Sequence, residues 1–501
     1  MSYVKDAYFK DKIKILDTTL RDGEQTPTVS LTPSEKLEIA RKLDEFGVDI
    51  IEAGSAIVSP GEQEGLRLVA KEGLNAEIST FVRCLQLDID SALAADVDGV
   101  HLVVSTSKLH IQEKLKKTEE QVLDMAKNMT EYAKDHGLVV ELSAEDGSRT
   151  ELDYLKKVFK AGVDAKADRL CVCDTVGIMT PDHMYTWYRD LTEEFKIPVA
   201  VHCHDDLGLA TINTITALKA GASEFHGTIN GIGERAGNTA IEEVLLALKI
   251  LYEKDLDVKY EMISSLSEFV ETVTGITVPM NKPIIGKNSF SHEAGIHVHG
   301  LLANVKTYEP YSPEIIGRKR RFVLGKHAGL TSMDATLDAL GVEATKEQKK
   351  EILKRVKEIG DSGKVLTDAD LAAIVHNILQ MPTKKYVDVE ECSVMSGNHI
   401  TPTASVKLKI NQKEVIGAAV GNGPVDAAIN AIRSILKDSD IVLTSYNVKA
   451  ITGGTNAAVE VVVTVSDNKK TVSAQGIRTD IILASVDALI NAINLLKSTK
   501  A

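Results

Sequence analysis

Along roughly the first 250 residues, short apolar runs rich in Ile and Val alternate with longer stretches whose apolar residues recur at helical spacing. Eight such runs stand in series: IKIL (13–16), VDIIEA (48–53), AEISTF (76–81), GVHLVV (99–104), LVVELS (138–143), RLCVC (169–173), VAVH (199–202) and EFHGTI (224–229). The intervening segments carry helix punctuation. TPSEKLEIARKLDEFG opens with Thr32 placed as an N-cap, Pro33 at the first helical position and Glu35 at the third, and it closes at Gly47. Eight strand-helix units in series predict an α/β fold, a (β/α)8 or TIM barrel of about 250 residues, with a doubly wound open sheet as the structural rival. GIGERAG (231–237) has the wrong glycine spacing for a dinucleotide-binding turn and follows the last strand instead of the first, which disfavours a Rossmann fold.

After the eighth unit the pattern changes. PMNKPIIGKNSF, a basic GRKRRFVLGKHAG and further helix-period stretches read as helical linker subdomains over 281–386. From 387 onward there is an internal repeat. GNGPVDAAINAIRSIL (421–436) and ILASVDALINAINLL (482–496) share VDAxINAI, and each follows β-rich runs, TASVKLKI (403–410) and AAVEVVVTV (457–465). Two ββα-like units with pseudo-symmetry predict a compact α/β module over 387–501, leaving 1–280 for the barrel. Its Gly-rich turns GNGP (421–424) and TGGT (452–455) offer room for a small amphipathic effector.

Charge narrows the partners. With 72 acidic against 58 basic side chains the net charge is −14, which argues against non-specific binding to nucleic acid or anionic membrane. An anionic substrate would therefore need a locally positive site. Cys84, Cys171, Cys173, Cys203 and Cys392 form no CxxC pair, so neither a disulfide framework nor a zinc ribbon is expected. The opening MSYVKDAYFKDKIK lacks an apolar stretch of signal-peptide type, and no apolar run reaches the roughly 18 residues of a membrane span. A cytoplasmic protein is expected.

A barrel places its chemistry where strands end, on one face. There the chain carries DTTLRDGEQ with Asp17, Arg21, Asp22 and Glu24 after strand one, SAED with Glu145 after strand five, CDT after strand six, HCHDD after strand seven and NGIGERAGN after strand eight. The strand interiors read as nearly free of ionisable groups. His202 and His204, two apart on a strand, point the same way with Cα atoms roughly 6.6 Å apart. Asp22 from the adjoining loop is the third ligand this pair needs, with the Asn238 amide oxygen as a fourth. Such a set suits Zn²⁺, Mn²⁺, Mg²⁺ or Co²⁺ with positions open for substrate oxygens. Asp205 and Asp206 either orient the imidazoles or are plain loop acids.

LDTTLRDGEQTP, VHCHDDLGLA, NGIGERAGN and FSHEAGIHVHG, in that order, resemble the family of 2-isopropylmalate, citramalate and homocitrate synthases, from about residue 13 to the C-terminus. The resemblance implies an acyltransferase performing a Claisen-type condensation. Acetyl-CoA, the co-substrate, is deprotonated at its methyl and attacks the ketone of a 2-oxo acid, and the thioester is then hydrolysed. By this resemblance Asp22, His202, His204 and Asn238 hold the divalent ion, and Arg21 donates to oxygens that become negative. Thr175 binds the substrate carboxylate or merely forms a turn, Glu24 contacts substrate or supports a residue that does, and Glu234 lies on the CoA side or orients a neighbour. Glu145, His297 and Tyr308 match the glutamate, histidine and tyrosine implicated in proton transfer. The run Arg318–Arg321 either meets CoA phosphates or covers a solvated face. The resemblance further implies a homodimer, with His297 and Tyr308 lent to the neighbouring barrel, and a C-terminal domain that binds isoleucine or leucine.

For the 2-oxo acid, Phe81 stands where isopropylmalate synthases commonly have Leu, and a bulkier ring shrinks the pocket toward a methyl. EAGSAIVSPGE resembles the archaeal citramalate synthase branch, whereas His101 and Ser143 are also compatible with isopropylmalate synthase. Pyruvate and the product (R)-citramalate, on the route to isoleucine, are therefore favoured. The alternatives are 2-oxoisovalerate and leucine biosynthesis, and less so a homocitrate synthase or a lyase like hydroxymethylglutaryl-CoA lyase, against which the long C-terminal module speaks. A biotin-dependent carboxyltransferase would need a Met-Lys-Met motif that the chain lacks.

Overall fold

The computed structural model describes residues 9–339, 342–361, 366, 368–379, 386–410, 413–436, 441–450, 459–467 and 470–498. The TGGT turn lies outside them. The eight apolar runs form parallel strands β1 (Lys14–Asp17), β2 (Ile50–Glu52), β3 (Glu77–Arg83), β4 (Gly99–Ser105), β5 (Val139–Glu145), β6 (Arg169–Asp174), β7 (Val199–Cys203) and β8 (Glu224–Gly227), closed into a barrel by pairing of β1 with β8. The strands are followed in turn by helices α1 (Pro33–Phe46), α2 (Pro60–Lys71), α3 (Gln86–Ala95), α4 (Glu119–Asp135), α5 (Leu152–Asp164), α6 (Pro181–Glu194), α7 (Ala210–Lys219) and α8 (Ile241–Tyr252). The predicted capping box of α1 is present, and Gly47 ends the helix in the left-handed conformation, with φ of 106°.

The strand interior differs from the sequence expectation. Side chains alternate along a strand, so Ile15, Ile51, Ile78, Val100, Leu102, Val140, Leu142, Leu170, Val172, Val201 and Phe225 face the helices and build the main apolar core. The other set faces the barrel axis, and there Glu52, His101, Glu141, Arg169, Glu224 and His226 are all buried. Arg169 forks onto Glu77 at 2.7 and 2.9 Å and also reaches Glu141 at 3.3 Å and Glu224 at 3.5 Å. His226 Nε2 lies 3.0 Å from Glu141 and 3.7 Å from Glu224, and His101 Nδ1 lies 2.7 Å from Glu52. The axis is an ion-pair chain, where barrels usually pack branched aliphatic side chains.

The chain divides into two compact units. One runs to His292 and includes Asn304–Arg321; the other comprises Glu293–Ala303 and the chain from Phe322 onward. In the second unit, helices Leu330–Ala339, Lys346–Asp361 and Asp368–Leu379 share a small apolar core that includes Leu337, Ile352, Val356 and Leu371. The repeat has a third strand that the sequence reading did not count. Each unit is βββα: Val387–Gly397, Ile400–Ile410 and Lys413–Val420 with helix Pro424–Leu436, then Val442–Ala450, Val459–Asp467 and Lys470–Arg478 with helix Ile481–Ser498. The shared VDAxINAI motif supplies the inner helix faces, through Ala428, Ala431 and Ile432 and through Leu489, Ala492 and Ile493.

Arg169 is the cation that the lower barrel carboxylates share. Arg169→Ala should leave Glu77 without its ion pair and Glu141 and Glu224 with histidines alone, at a cost of about 3–5 kcal/mol, read as a lowered midpoint in urea unfolding of the full chain.

Candidate metal centre and its pocket

The turn after β1 is a single π-helical turn, Thr19–Gly23, in which the Thr18 hydroxyl accepts from the Asp22 amide and Asp17 accepts from the Thr19 amide and hydroxyl. It aims Asp22 inward, where only 2 % of the residue is exposed. Asp22 Oδ2 lies 3.2 Å from His202 Nε2 and 4.0 Å from His204 Nε2, and the two imidazole nitrogens are 3.4 Å apart. Asn238 comes alongside through an antiparallel bridge to His204. Its amide nitrogen donates to the Ile232 carbonyl at 3.1 Å, which leaves Oδ1 buried without a hydrogen-bond partner. Gly233 is required here. Its φ is +154°, and a Cβ would collide with Asn238 Nδ2.

These donors fit a divalent cation. One ligand atom from each of Asp22, His202 and His204 falls within 4.8 Å of the others; Asn238 Oδ1 is a buried acceptor without a hydrogen bond, and Asp22 Oδ2, also buried, forms no aligned hydrogen bond and has only the ion-pair contact with Arg21 and the two imidazoles beside it. Burial disfavours the Asp22 charge, but Arg21 and the two histidines outweigh it and hold the carboxyl well below the usual range. Burial and the neighbouring His202 push His204 down to about 4. Both shifts favour the deprotonated forms that bind metal. A second group, His101, Glu141 and His226, is equally compact, but Arg169 competes for its carboxylate. There burial opposes the imidazolium forms, yet Glu52 and Glu141 outweigh it and raise His101 to about 9 and His226 to about 10. Protonated imidazoles balance the charge without an ion.

Arg21 sits beside this centre, its Nη1 3.1 Å from Asp22 and its Nε 2.8 Å from Glu52. Its partners are thus Asp22 and Glu52, not the Asp17 or Glu24 that chain proximity suggests. The Phe81 ring lies 5.1 Å below its guanidinium and edge-on to His101 with centroids 6.0 Å apart. Ser143 is wholly buried and donates to Glu141 at 3.3 Å. The Thr175 hydroxyl accepts from the Asp146 amide at 2.8 Å. The Glu24 carboxylate is engaged by the buried Lys36 at 2.5 Å and by the Leu31 amide at 2.8 Å. Glu234 lies in the loop after β8, where its carbonyl accepts from Gly237.

Glu145 ends β5 among groups that the sequence did not single out. Lys114 Nζ lies 2.6 and 2.8 Å from its two oxygens, the Ser105 hydroxyl donates to it, and His110 Nδ1 is 3.6 Å away. Burial pushes its pKa up, but Lys114 and Ser105 outweigh this and hold the carboxylate ionised below its ordinary range. Asp205 and Asp206 are loop acids: Asp205 accepts from the Ala210 amide at the start of α7, and Asp206 forks with Arg235 at 2.8 and 2.9 Å. Of the histidines in FSHEAGIHVHG, His292 lies 3.2 Å from Glu309, which also holds Arg320. His297 is on the exposed side of helix Gly295–Ala303, and Tyr308 is 42 % exposed.

Comparison with known proteins places the chain in a family. The HMGL-like family profile matches residues 12–270, the homocitrate synthase post-HMGL domain-like profile 284–364, and the LeuA allosteric (dimerisation) domain profile 365–497. An (R)-citramalate synthase of Methanocaldococcus jannaschii is 53% identical, over 97% of this chain and 99% of its own. A Methanothermobacter thermautotrophicus protein provisionally named (R)-citramalate synthase is 52% identical, over 97% and 98%. A Methanopyrus kandleri protein provisionally named 2-isopropylmalate synthase is 50% identical, again over 97% and 98%. The chain belongs to the HMGL-like enzymes, in the branch that joins such a barrel to a LeuA domain and contains these citramalate and isopropylmalate synthases.

His202→Ala removes a ligand at the barrel mouth. The wild-type chain should bind one equivalent of Co²⁺ or Zn²⁺, and the variant should bind it more than about 100-fold more weakly, with its thermal midpoint shifted by only a few degrees. Titration followed by metal analysis checks both.

Proposed function

We propose that the chain condenses acetyl-CoA with pyruvate to give (R)-citramalate and CoA, as a homodimeric cytoplasmic enzyme of isoleucine biosynthesis. The observation that carries the reading is the packing beside the candidate ion site, where the Phe81 ring stands 5.1 Å from the Arg21 guanidinium and edge-on to His101. An ion held by Asp22, His202, His204 and Asn238 supplies Lewis-acid polarisation of the oxo-acid carbonyl.

The chain's own groups do the rest. Arg21 has Nε on Glu52 and Nη1 on Asp22, which leaves Nη2 to donate to an oxygen that becomes negative as the new carbon–carbon bond forms. Thr175 takes its hydrogen bond from Asp146 as an acceptor, so its own proton is available to the substrate carboxylate. Glu145, held ionised, receives the proton from the thioester methyl. A methyl is far less acidic than any side chain, so positioning must supply what basicity does not. His297 and Tyr308 complete the proton chain, contributed by the partner subunit. Water then cleaves the thioester and CoA leaves. The C-terminal repeat senses isoleucine. Among the described residues no helix is long and apolar enough to cross a membrane.

The runner-up, condensation with 2-oxoisovalerate under leucine control, is favoured by the Methanopyrus relative. Thiol release from acetyl-CoA with pyruvate, 2-oxobutyrate, 2-oxoisovalerate and 2-oxoglutarate in turn, with and without millimolar isoleucine or leucine, separates them. Pyruvate should give the highest kcat/KM, and Phe81→Ala should move the ratio toward 2-oxoisovalerate by about tenfold or more. A wild-type preference for 2-oxoisovalerate would refute the citramalate assignment.

The pH profile tests Glu145. A base whose pKa is depressed works above that pKa and loses activity as pH falls through it. Lys114→Met removes the leading hydrogen bond to the carboxylate, so the acid limb of kcat/KM should move to higher pH, while an unmoved limb would take Glu145 out of that role.

A further inference from the structure

Glu52 ends β2 with its side chain wholly buried. Oε2 accepts from Arg21 Nε at 2.8 Å and from the Thr18 hydroxyl at 2.5 Å, and Oε1 stands 2.7 Å from His101 Nδ1. The groups it joins come from separate parts of the barrel, Arg21 from the turn after β1 and His101 from β4. Phe81, on β3, touches the same two groups. Guanidinium and imidazole are thus tied to one carboxylate and to one ring.

We propose that Glu52 is a positioning residue for the 2-oxo acid: it locks the Arg21 guanidinium and the His101 imidazole into one rigid pair around Phe81, and so sets the orientation in which the substrate meets the ion site. This deepens the pyruvate reading and rests on it.

The chemistry follows from donor and acceptor inventory. An ionised carboxylate only accepts, so the proton of His101 on that side is on Nδ1, and the ring cannot turn without losing it. Arg21 is held through Nε by Glu52 and through Nη1 by Asp22, which fixes the plane of its fork. Glutamine in place of Glu52 keeps the volume but cannot accept from both sides. Its amide nitrogen must face either Arg21, donor against donor, or His101, which then has to give up its Nδ1 proton. The first orientation releases Arg21; the second keeps His101 only with its proton moved to Nε2, and in both the carboxylate charge that Arg21 and His101 share is lost.

The test uses the full-length, ion-loaded chain and thiol release with acetyl-CoA and pyruvate. Glu52→Gln should lower kcat/KM for pyruvate by about 100-fold, with the acetyl-CoA KM within about twofold of wild type and metal content unchanged. Combined with His101→Asn, its loss should be much smaller than the product of the two single losses, because both substitutions break one unit. Activity of Glu52→Gln within about threefold of wild type, losses that multiply, or a loss that follows metal content or acetyl-CoA KM would each overturn the proposal. Should Glu52→Gln fail to fold, Glu52→Asp keeps the charge and draws the carboxylate back by one methylene. A loss confined to pyruvate supports the proposal, and wild-type activity overturns it. A wild-type chain inactive with every 2-oxo acid would instead overturn the reaction assignment itself.

Discussion

An ionised carboxylate inside a closed barrel is tolerated only with a positive charge within a few ångströms, because desolvation otherwise costs more than the fold can supply. The axis of this barrel meets that constraint repeatedly. Glu77, Glu141 and Glu224 share Arg169; Glu141 and Glu224 also face His226; Glu52 lies between His101 and Arg21; and Arg21 passes on to Asp22. The ion centre is the mouth end of this chain. A cation bound there would do for Asp22 what Arg169 does for the carboxylates below.

The same constraint explains why this interior is not aliphatic. Replacing buried ion pairs by well-packed apolar side chains is often neutral or stabilising, so such a chain is weak evidence for stability. Its worth here is in direction. Arg169, Glu141, Glu224, His226, Glu52 and Arg21 each have two or more partners, which fixes ring planes and fork planes that an aliphatic layer would leave to packing alone. Fixed donors are what a reaction that builds up negative charge on oxygen requires.

Legibility followed the range of the interaction. The strand-helix alternation and the α1 capping box are local patterns, and all eight runs became strands. Asp22, His202, His204 and Asn238 were readable because a barrel brings strand ends together whatever lies between them. Glu52 was not. It lies within the apolar run VDIIEA, and its partners Arg21 and His101 lie 31 and 49 residues away. The interior charges had a usable signal. Taken with period two, AEISTF, LVVELS, RLCVC and EFHGTI put Glu77, Glu141, Arg169 and Glu224 on the face opposite Ile78, Leu142, Leu170 and Phe225, whereas grouping them as apolar blocks hid it. Lys114 and His110 sit in a turn after β4 that has no motif of its own, so only the fold brings them to Glu145. In the C-terminal repeat the missed strands, VDVEECSVMSG and VLTSYNVKA, mix polar with apolar positions; Val387, Val389, Leu443 and Tyr446 pack on the core, and pairing within each sheet aligns the strands.

Discrimination between 2-oxo acids that differ by methyl groups depends on whether the pocket can yield. A methylene contributes only about 1–3 kcal/mol of preference, and a soft pocket loses even that by relaxing around the larger substrate. Phe81 cannot move away cheaply, because the Arg21 guanidinium covers one face and His101 meets its edge, and both are anchored to Glu52. A larger substrate would have to displace a charged fork and a hydrogen-bonded imidazole as well as a ring, so overpacking is penalised by broken ion pairs and not merely by repacked carbon. On the proposed reading, size selection would be a property of the ion-pair chain beneath the ring as much as of the ring itself.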